Sequence, residues 1–186
     1  RGNNTVLEQL DSDYHLMLNP DVTFPPDLIA RMTAYMDAHP DATILTPRVM
    51  NRDGTEQFLP RREVTVRYLL GGKLEGLGGV FRKWRREFTW ADDNVTEPRS
   101  AGFATGCFLF IRTAAFKQLG GFDPRFFLYQ EDSDLSKRVC QTGRIVYHPD
   151  MIVTHDWARE NTRTTVGMRR QIRSIFKYFG KWGWKW

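Results

Sequence analysis

The stretch 120–138, GGFDPRFFLYQEDSDLSKR, sets Phe122, Phe126, Phe127 and Tyr129 directly before the acids Glu131, Asp132 and Asp134. Bulky apolar side chains can wall a pocket drier than bulk water. Carboxylates at its lip then become stronger electrostatic partners and better-tuned bases. Helical spacing sends Asp132 and Asp134 apart and brings Glu131, Asp134 and Leu135 near one face. The same residues also suit an acid-rich helix start, favoured by the helix dipole and followed by basic Lys137 and Arg138. Two further places can hold chemistry. Asn19-Pro20-Asp21 follows a short apolar run, so two polar side chains leave a strand end; the tripeptide is also a good turn. His155 closes another apolar run beside Asp156, where a histidine is either packed or a metal ligand.

The elements that must position these residues follow from the apolar pattern. Residues 14–18 (YHLML) read as a buried strand of a parallel sheet. Ligands bind at the carboxyl ends of strands in open α/β sheets, which is where Asn19 and Asp21 fall. Pro25, Pro26 and Asp27 begin a helix whose apolar face includes Leu28, Met32 and Met36. Residues 42–45 form the next strand, 49–50 a short extended piece, and Asn51-Arg52-Asp53-Gly54 a hairpin turn. The run 106–112 (GCFLFIR) is another buried strand, and Gly106 lets a ligand approach the backbone closely. Thr113 caps a short helix. A longer one runs from about Gln130 to Gln141 and closes at Gly143, and 144–147 and 151–154 are short strands. Alternating strands and helices define an α/β fold.

Two segments stand apart. Between 61 and 99 glycines interrupt the apolar residues, and FRKWRREFTW mixes cations with aromatics. That mixture suits an acceptor-side surface, a lipid phosphate, a nucleic acid strand or a merely solvated insertion. From Gly167, Met168, Ile172, Ile175, Phe176 and Phe179 fall on one helical face, and Arg169, Arg173, Lys177 and Lys181 on another. With Trp182, Trp184 and Trp186 at its end, this is either a membrane-surface helix or a packing helix with a basic outer face.

At 186 residues, 41% hydrophobic and 26% charged, the chain fits one domain with a sizeable core. A net charge of +5 favours anionic partners. Cys107 and Cys140 read as buried thiols in a reducing compartment. No run of about 18 apolar residues is present, and no stretch reads as a signal peptide.

LNPD at a strand end, GGFDPRFFLYQEDSDL and a strand ending in His155 together resemble the family 2 inverting glycosyltransferases of GT-A fold. The likeness is greatest to bacterial rhamnosyltransferase-like members that build cell-surface polysaccharide. The resemblance implies a GT-A, Rossmann-like mixed sheet flanked by helices over residues 1–158, followed by a basic amphipathic tail at 159–186. It implies a nucleotide-sugar donor, with rhamnose on thymidine diphosphate favoured, and a lipid-linked or polysaccharide acceptor. It implies Mn²⁺ or Mg²⁺ to offset charge on the leaving diphosphate. Asp21 matches the metal-binding aspartate of the family's DxD motif, with Asn19 at the first acidic position as an orienting group. His155 matches a histidine that completes the metal site in some relatives, and suits Mn²⁺ better than Mg²⁺.

Asp132 matches the catalytic base, with Glu131 orienting the acceptor or tuning Asp132, or taking the role itself. Gly106 and Cys107 would line the sugar subsite, and Phe127 and Tyr129 lie near the acceptor. Arg138 either helps hold diphosphate or neutralises its helix. The expected place is cytoplasmic, at the inner face of the cell membrane, with 167–186 on its anionic surface and no nucleic acid partner. The family's first β-α-β units would precede Gly2-Asn3-Asn4, so the expectation is a truncated chain. The alternative is a non-catalytic membrane-associated module of the same fold.

Overall fold

The computed structural model describes residues 2–126, 128–156 and 165–186, and its centre is one six-stranded sheet. The strands are β1 (Tyr14–Leu18), β2 (Val22–Thr23), β3 (Ala42–Met50), β4 (Arg99–Ala101), β5 (Phe108–Arg112) and β6 (Arg144–His155). Their order is β1-β5-β3-β6-β2, with β4 also paired to β6. Only β3 and β6 run parallel among the described pairs; the rest are antiparallel. The sheet is therefore mixed.

Three sequence expectations change at this level. Residues 14–18 are not a buried strand of a parallel sheet: β1 lies at the sheet edge, antiparallel to β5. An apolar run reports that a strand is covered, not the direction of its neighbour. Here the cover comes from Tyr14 stacked on Phe110 (ring centroids 5.1 Å apart) and His15 on Phe116 (5.5 Å). The separate pieces 42–45 and 49–50 are one strand, as are 144–147 and 151–154. Their pairing slips where Pro47 faces His148, and the next partners are Arg48 and Ile152, leaving residues 149–151 bulged out. Pro47 and Pro149 lack the N–H that the ladder needs, so a strand containing them reads as two.

The third change is at 61–99, which is ordered as two helices, α2 (Val66–Leu74) and α3 (Gly79–Thr89). The glycines that broke the pattern hold these helices together. A Cβ on Gly71 would lie 2.9 Å from the Arg85 nitrogen, so only glycine permits this approach, and Gly78 (φ 71°) makes the turn. Trp84 and Phe88 face inward, and with Tyr68, Phe103, Phe126, Tyr178 and Phe179 they form a core of their own.

The sheet is covered on both faces. α1 (Leu28–Ala38) buries Leu28, Met32 and Met36 against Leu45, Phe108, Phe110 and Val153. α4 (Thr113–Gln118) and α5 (Glu131–Thr142) bury Phe116, Leu135 and Val139 against Ile44, Leu109 and Ile145. Alternation along each strand sends successive side chains to opposite layers. α6 (Thr165–Trp182) packs on the α2–α3 core through Ile175, Tyr178 and Phe179, and Ser174 donates to the Leu128 carbonyl at 2.9 Å. Cys107 is buried as expected, but Cys140 is exposed, with its thiol toward the Ala101 carbonyl at 3.9 Å.

Candidate active site

The end of the sheet where β1, β3 and β6 finish gathers most of the sequence's candidate residues. β5 and β2 begin there, since each is antiparallel to a neighbour that ends there. Asn19 continues the β1–β5 ladder, its N–H donating to the Cys107 carbonyl at 3.0 Å. After Pro20 the chain crosses to the far edge, where Val22 pairs with His155 and the Asp156 N–H donates to the Asp21 carbonyl at 3.0 Å. That crossing brings Asp21 Oδ1 to 3.3 Å from His155 Nε2.

His155 is 5% exposed, and its orientation is set by Gln57. The Gln57 amide NH₂ donates to the His155 carbonyl at 2.7 Å, so its Oε1 faces His155 Nδ1 at 3.3 Å. An amide oxygen opposite Nδ1 places the ring proton there and turns the Nε2 lone pair toward Asp21. Two acceptors 3.3 Å apart have the spacing that two ligands of one divalent cation would have. Gln57 is thus the kind of supporting partner that fixes a metal-ligating histidine. Nothing in the sequence pointed to it, because it lies 98 residues away across the fold. Among the described residues no group of three His, Cys, Asp or Glu side chains gathers as a metal cluster. One carboxylate and one imidazole, with the Asn19 amide nearby in the chain, fit an ion that takes its other ligands from substrate phosphates and water.

α5 brings the second set of acids to the same loop. Tyr129 (φ 67°) and Gln130 (φ 66°) are both left-handed, a conformation that costs non-glycine residues about 1 kcal/mol or more each. They turn the chain sharply into the helix. Asp132 Oδ2 accepts from the Gly106 N–H at 3.3 Å and Oδ1 from the Ser133 N–H at 2.8 Å. Burial raises the Asp132 carboxyl above its ordinary value, against the pull of those N–H donors. Burial, then the neighbouring Asp132, pushes Glu131 up to about 7. Glu131 Oε2, Gln130 Oε1 and the Tyr129 hydroxyl are all buried with no hydrogen-bond partner. Such groups cluster where a ligand completes them.

Other candidates take different parts. Gly106 and Cys107 act through their backbones, the one holding Asp132 and the other Asn19, while burial pushes the Cys107 thiol up to about 11. Asp134 is fully buried and belongs to the framework, bonded by Arg138 Nε (2.8 Å), Lys181 Nζ (2.5 Å) and Trp182 Nε1 (2.9 Å). Arg138 also donates to the carbonyls of Leu119 and Gly121, each at 2.8 Å. These contacts tie Arg138 to α5 and to the turn before it. Phe127 lies outside the described residues.

Two clefts, of about 200 and 420 Å³, lie elsewhere, on the side of β4 and α3. Arg61 and Trp90 line both, and Asp21, His155, Glu131 and Asp132 line neither. Sequence reasoning did not single out Arg61, although it is 2% exposed.

With this geometry in place, comparison with known proteins is direct. The glycosyl transferase family 2 model matches residues 1–120. The chain belongs to that family. It is 31% identical over 154 residues to the N-acetylglucosaminyl-diphospho-decaprenol L-rhamnosyltransferase of Mycobacterium tuberculosis, covering 81% of this chain and 49% of that protein. It is 25% identical over 182 residues to the rhamnosyltransferase WbbL of Escherichia coli, covering 92% and 63%. The chain thus spans about half to two thirds of the length of these relatives. Among solved structures it resembles GalNAc-T7 bound to UDP, GalNAc and Mn²⁺, with a TM-score of 0.59, 15% identity and coverage of 93% and 33%. It also resembles a mannosyltransferase from Pyrobaculum calidifontis bound to GDP-Man and Mn²⁺, with a TM-score of 0.53, 15% identity and coverage of 96% and 41%. These neighbours establish the GT-A fold. The segment from Gly121 onward, which carries Glu131 and Asp132, lies beyond the stretch matched by the family model.

Proposed function

We propose that this chain carries the metal-binding and acceptor-activating elements of an inverting glycosyltransferase. It moves a sugar, rhamnose by analogy with both relatives, from a nucleoside diphosphate donor to a lipid-linked or polysaccharide acceptor. The observation that carries this reading is the loop 105–107. Its Gly106 N–H holds the Asp132 carboxylate while its Cys107 carbonyl holds the strand end leading to Asp21. A base and a metal-binding pair are thereby tied to one sheet end.

In this reading Asp132 takes the proton from the acceptor hydroxyl as its oxygen attacks the anomeric carbon. The bond from that carbon to the diphosphate breaks on the opposite face, and the diphosphate leaves with the electron pair. A raised carboxyl pKa suits a base working near neutrality. Glu131, near half-protonated at pH 7, can orient the acceptor as donor or acceptor of a hydrogen bond. Asp21 and His155 are the residues to hold Mn²⁺ or Mg²⁺, with His155 favouring Mn²⁺. The bound ion would offset the charge growing on the departing diphosphate.

Membrane attachment belongs to the same proposal. Met168, Ile172 and Phe176 are exposed at helical spacing on α6, beside exposed Arg169 and Arg173. This stripe suits the anionic inner face of a membrane, where a lipid-linked acceptor is presented from the cytoplasmic side. No helix among the described residues is long and apolar enough to cross a membrane.

Calorimetric titration of nucleoside diphosphates with and without Mn²⁺ tests the reading. Metal-dependent binding that Asp21→Ala abolishes and Asp132→Asn leaves intact is expected. Asp132→Asn should also lower transfer by about 10²–10⁴-fold, as for loss of a general base. Metal-independent binding, or an active Asp132→Asn enzyme, sinks it.

A further inference from the structure

The larger cleft is lined by four arginines, of which Arg61 is buried. Arg61 is 2% exposed, and its guanidinium donates to the carbonyls of Pro60 (3.2 Å) and Pro47 (3.5 Å). It also lies over the Tyr147 ring at 4.4 Å, and Glu56, beyond ion-pair distance in the adjoining smaller cleft, offsets part of its charge. A buried charge that meets its carboxylate only at a distance is incompletely compensated, and an anion completes such a site. Three more arginines, Arg62, Arg67 and Arg99, line the same 420 Å³ cleft. Arg67 Nε is buried with no hydrogen-bond partner. Asp93, Glu87 and Glu63 balance part of this charge, and Lys137 and Lys185 in turn bind Glu63. The cationic excess stands. Arginine is the side chain best shaped for phosphate oxygens.

The cleft has an apolar lip and a short connection to the acids. Trp186 lines it and meets Trp84 edge to face, with ring centroids 5.7 Å apart. Its neighbour Trp184 meets Phe176 of the exposed α6 stripe at 5.4 Å. Gly102 lines the cleft, and Gly106, four residues on, donates to Asp132. Four residues of chain reach no more than ~14 Å. The lining residue Gly102 is thus within that reach of the backbone that holds Asp132, whereas Asp21 and His155 do not line the cleft.

We propose that this arginine cleft binds the diphosphate of a lipid-diphosphate acceptor, with the lipid chain leaving past Trp186 toward the α6 stripe. The proposal rests on the glycosyltransferase reading above. It places the acceptor sugar toward Asp132 and keeps its diphosphate apart from that of the donor.

The probes are geranyl diphosphate, inorganic pyrophosphate and a nucleoside diphosphate, each titrated calorimetrically. The first two are run without divalent metal and the third with Mn²⁺. Geranyl diphosphate and pyrophosphate should bind the unaltered chain. The double variant Arg67→Gln/Arg99→Gln should weaken both by roughly tenfold or more, since each loses charge-assisted contacts, and leave Mn²⁺-dependent nucleotide binding unchanged. Arg99→Lys should keep part of the affinity. Trp186→Ala removes a largely exposed ring whose one ring contact described is Trp84, so folding survives it, and it should weaken geranyl diphosphate while sparing pyrophosphate. Absence of geranyl diphosphate binding, or binding indifferent to these variants, overturns the proposal even where nucleotide binding stands. Loss of nucleotide binding in the double variant assigns the cleft to the donor and likewise overturns it. Failure of Mn²⁺-dependent nucleotide binding in the unaltered chain speaks against the glycosyltransferase reading alone.

Discussion

Glu131 and Asp132 are neighbours in sequence with unequal surroundings. Asp132 accepts two backbone N–H bonds, while Glu131 keeps a buried oxygen with no partner. Glu131 therefore resists ionisation, with its pKa pushed up to about 7 from 4.5. The native state then holds a proton through the window from about pH 4.5 to 7 that the unfolded chain has released. Stability from this group is fully present below pH 4.5 and lost as pH rises through about 7. The loss is about 3 kcal/mol. Urea unfolding of Glu131→Gln against the parent should show the variant gaining stability relative to the parent between pH 5 and 8. Parallel pH profiles for the two proteins would mean that Glu131 ionises normally. The FFLYQEDSD pattern announced an acid beside aromatics. It could not say which carboxylate would receive the N–H donors, since those come from Gly106 and from the helix turn itself.

At the scale of elements, α6 shows how periodicity divides a helix and where it fails. Its apolar residues seemed to share one face, yet Ile175 and Phe179 pack inward while Met168, Ile172 and Phe176 face out. The packing alternative for the tail is realised on one side only, because an apolar arc wider than one neighbour can cover leaves an exposed edge. The inward side is anchored by Lys181, which reaches Asp134 at 2.5 Å and Asp123 at 2.9 Å. Arg125, then Lys181, hold the Asp123 carboxyl well below its usual range. Lys181→Met would leave Asp134, fully buried, with one of its cations gone, and should cost about 3 kcal/mol in denaturant unfolding. Arg86→Gln, at an ion pair exposed to solvent with Asp92, should cost almost nothing in the same assay. Equal losses would show that Asp134 does not depend on α6. The strand positions were legible from apolar runs, but their joining and direction were not. Pro47 and Pro149 split two strands in the pattern, and Gly71 made a tight helix contact look like a loop.

Across the whole molecule, cationic and apolar surfaces share one side of the fold. Lys73 of α2 bonds Gln171 of α6, which sets the end of the α2–α3 hairpin against the exposed stripe. That end carries Leu77 and Val80, also exposed. Apolar side chains at this density are rarely left open to water without a partner surface. Insertion of the stripe into a headgroup layer would bring Arg169 and Arg173 to the lipid phosphates, each contributing about 1 kcal/mol on an anionic leaflet. Cosedimentation with vesicles of mixed phosphatidylserine and phosphatidylcholine should therefore exceed that with phosphatidylcholine alone, and should fall as salt is raised. Met168→Asp/Ile172→Asp/Phe176→Asp removes the apolar contact and adds three like charges facing the lipid. It should reduce cosedimentation at least tenfold with little change in melting temperature, because all three side chains are exposed in the folded chain. A variant that still cosediments would place the membrane contact elsewhere. One that melts early would show that the stripe is held by packing, and the tail would then be a structural helix with a basic outer face.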